Sequence, residues 1–142
     1  MRMRPLNLRM FTDGGARGNP GPAGCGAVIK DADTGETLKE LYLYLGETTN
    51  NQAEYQGVIL GLKEALTMDA ETIMVVADSE LLVKQLTGVY RVKNEGLAQR
   101  FLEVKNLEVR FGKQIRYRHV PRAQNKEADA LANKAMDLGK AA

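Results

Sequence analysis

The sequence predicts an α/β domain built around a mixed β-sheet. Three observations support this prediction. Strand-like segments joined by short turns fill the first 45 residues, an apolar spacing typical of helices begins near Asn51, and Thr72 to Ala77 is a continuous apolar run. Alternation of strands and helices of this kind is typical of a sheet that is covered by helices.

The first three segments have the alternation and the β-branched or aromatic content of strands. They run from Leu6 to Thr12, from about Gly24 to Lys30, and from Thr37 to Leu45. Turn residues follow the first two, Asp13-Gly14-Gly15 and Asp31-Ala32-Asp33-Thr34-Gly35. Because short turns join neighbouring strands in opposite directions, we expect an antiparallel meander.

The remaining segments alternate between helical and strand patterns. Apolar residues recur at helical spacing from Asn51 to Met68, and the run Thr72–Ala77 is typical of a strand buried on both faces. The other predicted elements are a helix ending at Leu86 with Ser79 as its N-cap, a helix over Glu95–Phe111, a strand over Ile115–Val120 and a helix over Asn125–Leu138.

Length and composition limit the possible classes of protein. The 142 residues fit one domain, for which we expect a short basic tail over residues 1–5 and fraying over 139–142. The net charge of +2 does not by itself indicate a nucleic-acid binder. Without an apolar run of about 20 residues or a signal peptide, we expect no membrane partner. A single Cys25 excludes an internal disulfide and a multi-cysteine metal site, and indicates a reducing, cytoplasmic compartment. We expect a monomer, because nothing in the pattern marks a dimer interface.

Four acidic residues lie at positions that suggest chemistry. Asp13 follows the first predicted strand and Asp78 the buried fourth one, where ligands of α/β sheets bind. Glu54 and Asp129 lie beside the inward faces of two helices. Each acid alone could be a turn residue, a cap or a solvated charge. Together they predict a cluster that stays ionised around hard cations such as Mg²⁺ or Mn²⁺. Two such ions about 3.5–4 Å apart can assist a phosphodiester displacement.

Two polar segments add candidates for binding a ligand. The glycine-rich segment from Gly14 to Pro22 lacks the Gly-Lys-Ser/Thr ending of a phosphate-binding P-loop, but its backbone could approach a bulky ligand. Thr48 to Gln52 precedes a helix, and one residue there, Asn50 or Asn51, is enough for capping. The surplus amides suit the wide minor groove of an A-like duplex, where 2′-hydroxyls and base edges are displayed.

Positive charges are frequent in the second half of the chain. They are Arg91, Lys93, Arg116, Arg118, Arg122 and Lys126. Arg116 and Arg118 alternate with Ile115 and Tyr117 and could form one solvated strand face. Exposed charges of this kind contact phosphates only if the acidic cluster exists.

With these residues assembled, the chain resembles ribonuclease H of type I. The matching segments are spread in the expected order over almost the whole chain: Phe11-Thr12-Asp13-Gly14-Gly15, Gly18-Asn19-Pro20-Gly21-Pro22, Thr48-Thr49-Asn50-Asn51-Gln52-Ala53-Glu54, Ala77-Asp78-Ser79-Glu80-Leu81-Leu82-Val83 and Asn125-Lys126-Glu127-Ala128-Asp129-Ala130-Leu131-Ala132. The resemblance implies a five-stranded mixed sheet, three antiparallel strands followed by two parallel additions, flanked by helices.

The resemblance also implies a reaction and its residues. It implies endonucleolytic cleavage of the RNA strand of an RNA–DNA hybrid that depends on two Mg²⁺ ions, with Mn²⁺ as an alternative metal, and that leaves 3′-hydroxyl and 5′-phosphate products. The acidic tetrad carries over to Asp13, Glu54, Asp78 and Asp129. The substrate-binding residues that we predict are Gly15, Arg17, Asn19, Thr49, Asn50, Asn51, Gln52, Ser79 and Lys93, with Thr49 on a DNA-strand phosphate.

Two departures from the family pattern matter. Many bacterial members carry a Trp-rich basic protrusion between the middle helices; here the segment from Thr87 to Asn94 is short and the chain has no Trp. His119 stands ten residues before Asp129, where many members place a mobile histidine, yet it precedes Val120-Pro121 in a strand. The segment Val120-Pro121-Arg122 resembles the short, archaeal-like branch of the family, in which an arginine replaces the histidine. We therefore favour Arg122 over His119 as the residue that assists product release, and expect His119 to be a packed strand residue.

Two other functions stay open. The chain could be a catalytically silent RNA- or hybrid-binding module, although a binder gains nothing from four acids facing phosphate. It could also be a DNA-acting nuclease of the same fold, which the amides of Asn50 and Asn51 disfavour.

Overall fold

The computed structural model describes residues 4–141, which form one mixed five-stranded sheet with helices on both faces. The strands are β1 (Asn7–Ala16), β2 (Gly21–Asp31), β3 (Thr37–Thr48), β4 (Thr72–Ala77) and β5 (Ile115–His119). The helices are α1 (Asn50–Ala65), α2 (Glu80–Leu86), α3 (Glu95–Phe111) and α4 (Lys126–Ala141), with a 3₁₀ turn at Arg122–Gln124. The predicted element order and fold class are confirmed.

The spatial order of the strands is β3-β2-β1-β4-β5. β1, β2 and β3 form the predicted antiparallel meander, whereas β4 pairs with β1 in parallel and β5 pairs with β4 in parallel. Strands β2 and β3 therefore lie on one side of β1, and β4 and β5 lie on the other. A ligand site is expected at such a reversal of strand order, where the carboxyl ends of β1 and β4 meet.

β1 ends four residues later than predicted, at Ala16 instead of Thr12. Asp13, Gly14 and Gly15 do not form a turn; they continue the ladder opposite Gly26, Cys25 and Gly24 of β2. Small residues face each other across this part of the ladder. The pairing of β1 with β2 therefore continues up to the connection formed by residues 17–20. The glycines that looked like turn formers belong to a strand that a helix approaches closely.

The helices pack closely on both faces of the sheet. A Cβ on Gly61 of α1 would lie 2.6 Å from the Met10 sulfur, and one on Gly26 would lie 2.9 Å from the Ala128 carbonyl oxygen of α4. Both approaches bury apolar side chains of the sheet, including Met10 and Val28. α4 lies against β1, β2 and β3.

The ends of two helices differ from the prediction. α1 begins at Asn50 and ends at Ala65. Its N-cap is Thr49, and not Asn50 or Asn51, because the Thr49 hydroxyl accepts from the Gln52 amide at 3.2 Å. α4 continues to Ala141, although we expected fraying from residue 139, and the Tyr44 ring packs directly over Gly139. Residues 1–3 of the predicted tail and residue 142 lie outside the described residues.

None of the helices in residues 4–141 combines the length and apolar composition needed to span a membrane.

Candidate active site

Asp13 and Asp78 are brought together by the parallel register of β1 and β4. The paired residues end at Thr12 and Ala77, so the aspartates that follow stand side by side at the same edge of the sheet. Asp13 is half-buried, and its Oδ1 accepts a hydrogen bond from the Gly14 amide at 2.9 Å. Burial raises the pKa of Asp13 to about 8, and the charge of Asp78 adds to this rise.

Glu54 reaches this pair because α1 packs directly on the β1 backbone. A Cβ on Gly14 would lie 2.1 Å from the Ala53 carbonyl oxygen, and a Cβ on Gly57 would lie 2.7 Å from the Asp13 carbonyl oxygen. Only glycine permits both approaches. Burial raises the pKa of Glu54 to about 7, with the charge of Asp78 acting in the same direction and a hydrogen bond to Ser79 acting against it.

Asp129 is contributed by the first turn of α4. This end of α4 is fixed by Asn125, which is 1% exposed and donates from its side-chain amide to the Thr12 carbonyl oxygen at 2.9 Å. The Asn125 carbonyl oxygen accepts from the Asp129 amide at 3.1 Å. A hydrogen bond between the side chains of Asp13 and Asp129 further raises the pKa of Asp13.

The four carboxylates line one cleft of about 600 Å³. Its wall includes ten of the predicted site residues: Asp13, Gly15, Arg17, Asn50, Asn51, Glu54, Asp78, Ser79, Arg122 and Asp129. Elements from both halves of the chain therefore meet at the edge where β1 and β4 end. Many like charges in one partly enclosed space are unfavourable unless protons or cations compensate them.

The rim of the cleft is ordered by two asparagines. Asn50 Oδ1 accepts from the Ala16 amide at 2.7 Å, and Asn19 Oδ1 accepts from the Asn50 amide at 3.0 Å. These bonds fasten the turn at residues 17–20 to the first turn of α1. Asn19 itself is not part of the cleft wall, so it acts on the rim through Asn50. Arg17 is held by an ion pair with Asp137 at 2.6 Å.

Four other predicted residues lie outside the cleft wall: Thr49, Gln52, Lys93 and His119. Thr49 caps α1, and Gln52 Oε1 accepts from Arg100 Nε at 3.2 Å, which links α1 to α3. Lys93 is exposed in the segment before α3. The structure thus assigns local structural roles to Thr49 and Gln52 in the free protein.

His119 and Arg122 are separated by the end of β5. His119 is the last residue of β5 and is exposed, so the prediction of a packed strand histidine was wrong: β5 is an edge strand, and its end is open to solvent. Pro121 ends the strand, and the 3₁₀ turn that follows carries Arg122 into the cleft wall.

Sequence reasoning missed several wall residues, namely Gly14, Ala16, Ala132, Asn133 and Met136. Asn133 lies one helical turn after Asp129, and its side-chain amide donates to the Asp129 carbonyl oxygen at 3.0 Å. The apolar residues carry no chemical signal in the sequence. Their position becomes visible only when α4 is packed on β2.

Comparison with known proteins identifies the family to which this chain belongs. The profile of a family described as "Reverse transcriptase-like" matches residues 11–135. The protein "Ribonuclease H" of Halorhodospira halophila is 36% identical over 144 aligned positions, which cover 92% of this chain and 93% of that protein. The chain belongs to the ribonuclease H family.

Longer and archaeal members of the ribonuclease H family are also similar. "Bifunctional protein Rv2228c" of Mycobacterium tuberculosis is 46% identical over 93% of this chain, which spans only 36% of that protein. "Ribonuclease HI" of Halobacterium salinarum is 40% identical over 92% of this chain and 64% of that protein. The chain thus spans about a third of the first of these relatives and under two thirds of the second.

Solved structures of ribonucleases H superpose closely on this one. The N-terminal RNase H domain of Rv2228c, solved as a fusion with maltose-binding protein, gives a TM-score of 0.88 at 44% identity, over 92% of this chain and 99% of that one. LC11-RNase H1, solved in complex with an RNA/DNA hybrid, gives 0.89 at 41% identity, over 94% and 99%.

Ribonucleases H generally use divalent metal ions, and the donors in this cleft fit such an ion. Carboxylate oxygens are the ligands that Mg²⁺ and Mn²⁺ prefer, and Asp78 Oδ2 is buried without a hydrogen-bond partner among the described residues. No group of three or more His, Cys, Asp or Glu side chains within residues 4–141 could hold an ion unaided. Water and substrate oxygens would therefore complete the shell, as is usual for Mg²⁺.

Proposed function

We propose that this chain is a divalent-metal-dependent endonuclease that hydrolyses the RNA strand of RNA–DNA hybrids. The observation that carries the proposal is that four carboxylates from four different elements line one cleft whose rim carries Asn50 and Asn51. The similarity to ribonucleases H, one of them solved with an RNA/DNA hybrid, supports the choice of substrate. We further propose that Mg²⁺, with Mn²⁺ as a substitute, is the ion and that the protein acts in the cytoplasm as a monomer.

In the reaction that we propose, a water oxygen attacks a phosphorus of the RNA strand and the bond from phosphorus to the 3′ oxygen breaks. The 3′ oxygen takes up a proton, so the products are a 3′-hydroxyl and a 5′-phosphate. Two divalent ions bound in the cleft would supply Lewis-acid stabilisation of the attacking and leaving oxygens. Asp13, Glu54, Asp78 and Asp129 are the residues that would hold them.

Other residues of the chain would hold and orient the substrate. The side-chain oxygen of Asn50 accepts a hydrogen bond from the Ala16 amide. The NH₂ group of Asn50 would therefore donate to a 2′-hydroxyl or a base edge. Asn51 and the backbone near Gly15 extend this surface. Arg122, which also lies in the cleft wall, would attract the new 5′-phosphate and help it leave.

One experiment tests this function. The protein is incubated with an end-labelled RNA–DNA hybrid, duplex DNA or duplex RNA, with Mg²⁺, Mn²⁺ or a chelator. We expect metal-dependent cutting of the RNA strand of the hybrid, at least about 10³-fold slower in Asp78→Asn because one ion ligand is lost. Asp78→Asn should keep the circular dichroism spectrum, because the variant also relieves repulsion between acids. Robust cutting of duplex DNA, or full activity in chelator, would contradict the proposal.

A further inference from the structure

Three arginines form a basic patch on the sheet face that also carries α4. This patch, which we call the basic face, consists of Arg9, Arg116 and Arg118. Arg9 is aligned with Met74 of β4, and Met74 is aligned with Arg116 of β5. Arg118 is aligned with Val76, two residues further along β4. Residues aligned across neighbouring strands, and residues two apart along one strand, point to the same side of a sheet, so the three side chains share one face.

The basic face continues directly from the cleft. Asp13 lies four residues beyond Arg9 on β1, and Asp78 lies two residues beyond Val76, the partner of Arg118. At about 3.3 Å per residue, Arg118 lies about 7 Å along the sheet from the level of the two aspartates, and Arg9 and Arg116 about 13 Å from it. A strand of nucleic acid in the cleft can therefore pass over the arginines.

α4 does not cover this part of the sheet. It packs on β1, β2 and β3, whereas the exposed Arg116 and Arg118 lie on β5 at the far edge. A shallow pocket of about 250 Å³ separates Arg9 from Arg116, with Met74 half-buried between them and Gln114 at its side. Two guanidinium groups on either side of such a pocket suit a phosphate group.

The arginines of the basic face are not neutralised by the protein. Within residues 4–141, none of the three has an ion pair, and the acids that line pockets with them are already paired with lysines. Glu71, in the wall of the same pocket, pairs with Lys113 at 3.1 Å, and Glu108, which lines a neighbouring pocket with the two arginines of β5, pairs with Lys105 at 3.2 Å. Three exposed cations at one place without counter-charges form a positive field that attracts an anion.

We propose that the basic face is a second nucleic-acid contact, which binds phosphates of the duplex beyond the cleft. The proposal rests on the proposed function, because it concerns the same substrate. Arg116 and Arg118 are about 7 Å apart along β5, about twice the rise of about 3.4 Å per nucleotide along the axis of a duplex. Repetition at this spacing, and continuity with the cleft, favour a nucleic acid over an acidic protein segment as the occupant.

The test measures salt-dependent binding to hybrids that extend from the cleft in one direction only. Each hybrid carries a four-ribonucleotide tract near one end, so that the duplex continues for about 12 pairs on one side of the tract. The two possible polarities are compared in the Asp78→Asn background, where cleavage does not interfere. The variant is Arg9→Gln/Arg116→Gln/Arg118→Gln. The control is Lys39→Gln/Lys63→Gln/Arg110→Gln, which removes equal charge at exposed positions without ion pairs among the described residues.

We expect the variant to lower the slope of log affinity against log salt by about 2–3 for one polarity. Affinity for that hybrid should fall at least about tenfold in 0.1 M salt, with no such loss for the other polarity or for the control. An equal change for both polarities, or no change beyond the control, would overturn the inference. If the triple variant does not fold, Arg116→Gln and Arg118→Gln alone should each lower the slope by about 1.

Two further measurements separate this inference from the proposed function. If the unaltered protein cuts no hybrid, the proposed function fails whatever the binding result is. If it cuts hybrids and the triple variant binds like the control, only the basic face fails as a nucleic-acid contact. Poly-glutamate that displaces neither hybrid in the unaltered protein supports a nucleic acid as occupant. In the contrary outcome, poly-glutamate binds only when the three arginines are present, while the triple variant loses no affinity for the hybrid of either polarity. That result would assign the face to an acidic protein.

Discussion

The side-chain amide of Asn125 donates a hydrogen bond to the carbonyl oxygen of Thr12 at 2.9 Å, across 113 residues of sequence. Thr12 directly precedes Asp13, and the carbonyl oxygen of Asn125 accepts from the amide of Asp129. One buried asparagine therefore fixes two carboxylates of the cleft relative to each other, one on β1 and one on α4. It is a positioning residue, because it is not part of the cleft wall itself.

Asn125→Ala should destabilise the protein by about 1–3 kcal/mol, because the Thr12 carbonyl oxygen stays buried without its donor. Urea unfolding measures this change, with the exposed Asn106→Ala as a control that should be neutral within about 0.5 kcal/mol. Half-saturation with Mg²⁺ should require more metal in Asn125→Ala, because Asp13 and Asp129 are no longer held together. A variant as stable as the unaltered protein would show that the hydrogen bond contributes nothing.

Gly14→Ala should prevent α1 from packing on β1. A Cβ at this position would lie 2.1 Å from the Ala53 carbonyl oxygen, a backbone atom that cannot move away without moving the helix. We expect a loss of about 3 kcal/mol or more in stability, as for other overpacked sites of this severity. Gly15→Ala is the matched control for folding, since the nearest atom to its Cβ would be 3.8 Å away. Equal melting temperatures for the two variants would contradict the close approach.

The pH dependence of stability should change when Asp13 is neutralised. The pKa of Asp13 rises to about 8 in the folded protein from 3.8, and that of Glu54 to about 7 from 4.5, so the folded state holds more protons than the unfolded one between these values. Stability from these groups is therefore fully present below about pH 4 and is lost as the pH rises through 7 to 8.

Asp13→Asn removes one of these ionisations. In chelator, its stability relative to the unaltered protein should increase between pH 5 and pH 8.5 by about 1–2 kcal/mol. Urea unfolding at the two pH values measures this difference, and Glu36→Gln, at an exposed turn position, should show none of it. If the advantage of Asp13→Asn shrinks as the pH rises, the sign of the pKa shift is wrong.

Most of the fold could be predicted because its elements have clear local ends. β4 and α3 were predicted to the residue: β4 is a bounded apolar run, and α3 lies between the Asn94 cap and Gly112, whose positive φ of 77° ends the helix. The length of β1 could not be predicted, because Gly14 and Gly15 look like a turn unless the facing glycines of β2 are known.

The site was less accessible to sequence reasoning than the fold. Each of the four carboxylates could be predicted from the sequence. Their convergence in one cleft, however, depends on the β1–β4 register and on the Gly14 contact with α1. The roles of Thr49 and Asn125 depend on hydrogen bonds that no spacing reveals, and so does the contact of Gln52 with Arg100. The burial of His119 was predicted wrongly, because strand alternation does not distinguish an edge strand that ends in solvent from a covered one.

Arg122→Ala should slow turnover more than His119→Ala. Arg122 lies in the cleft wall with the carboxylates, whereas His119 is exposed at the end of β5 outside that wall. The product carries a new 5′-phosphate with up to two negative charges, and a guanidinium that binds it bidentately can draw it away from the acids. We expect steady-state turnover on a hybrid to fall about tenfold in Arg122→Ala and less than about twofold in His119→Ala.

The comparison of burst and steady-state rates distinguishes product release from the chemical step. If Arg122 assists release, Arg122→Ala should keep most of the first-turnover rate and lose the later turnovers, and Arg122→Lys should recover part of the loss because it keeps the charge without the bidentate fork. Lys126→Ala, an exposed neighbour outside the cleft wall, controls for the general loss of positive charge. A larger steady-state loss in His119→Ala than in Arg122→Ala would reverse the assignment. It would also require β5 to move its last residue toward the cleft once the hybrid is bound.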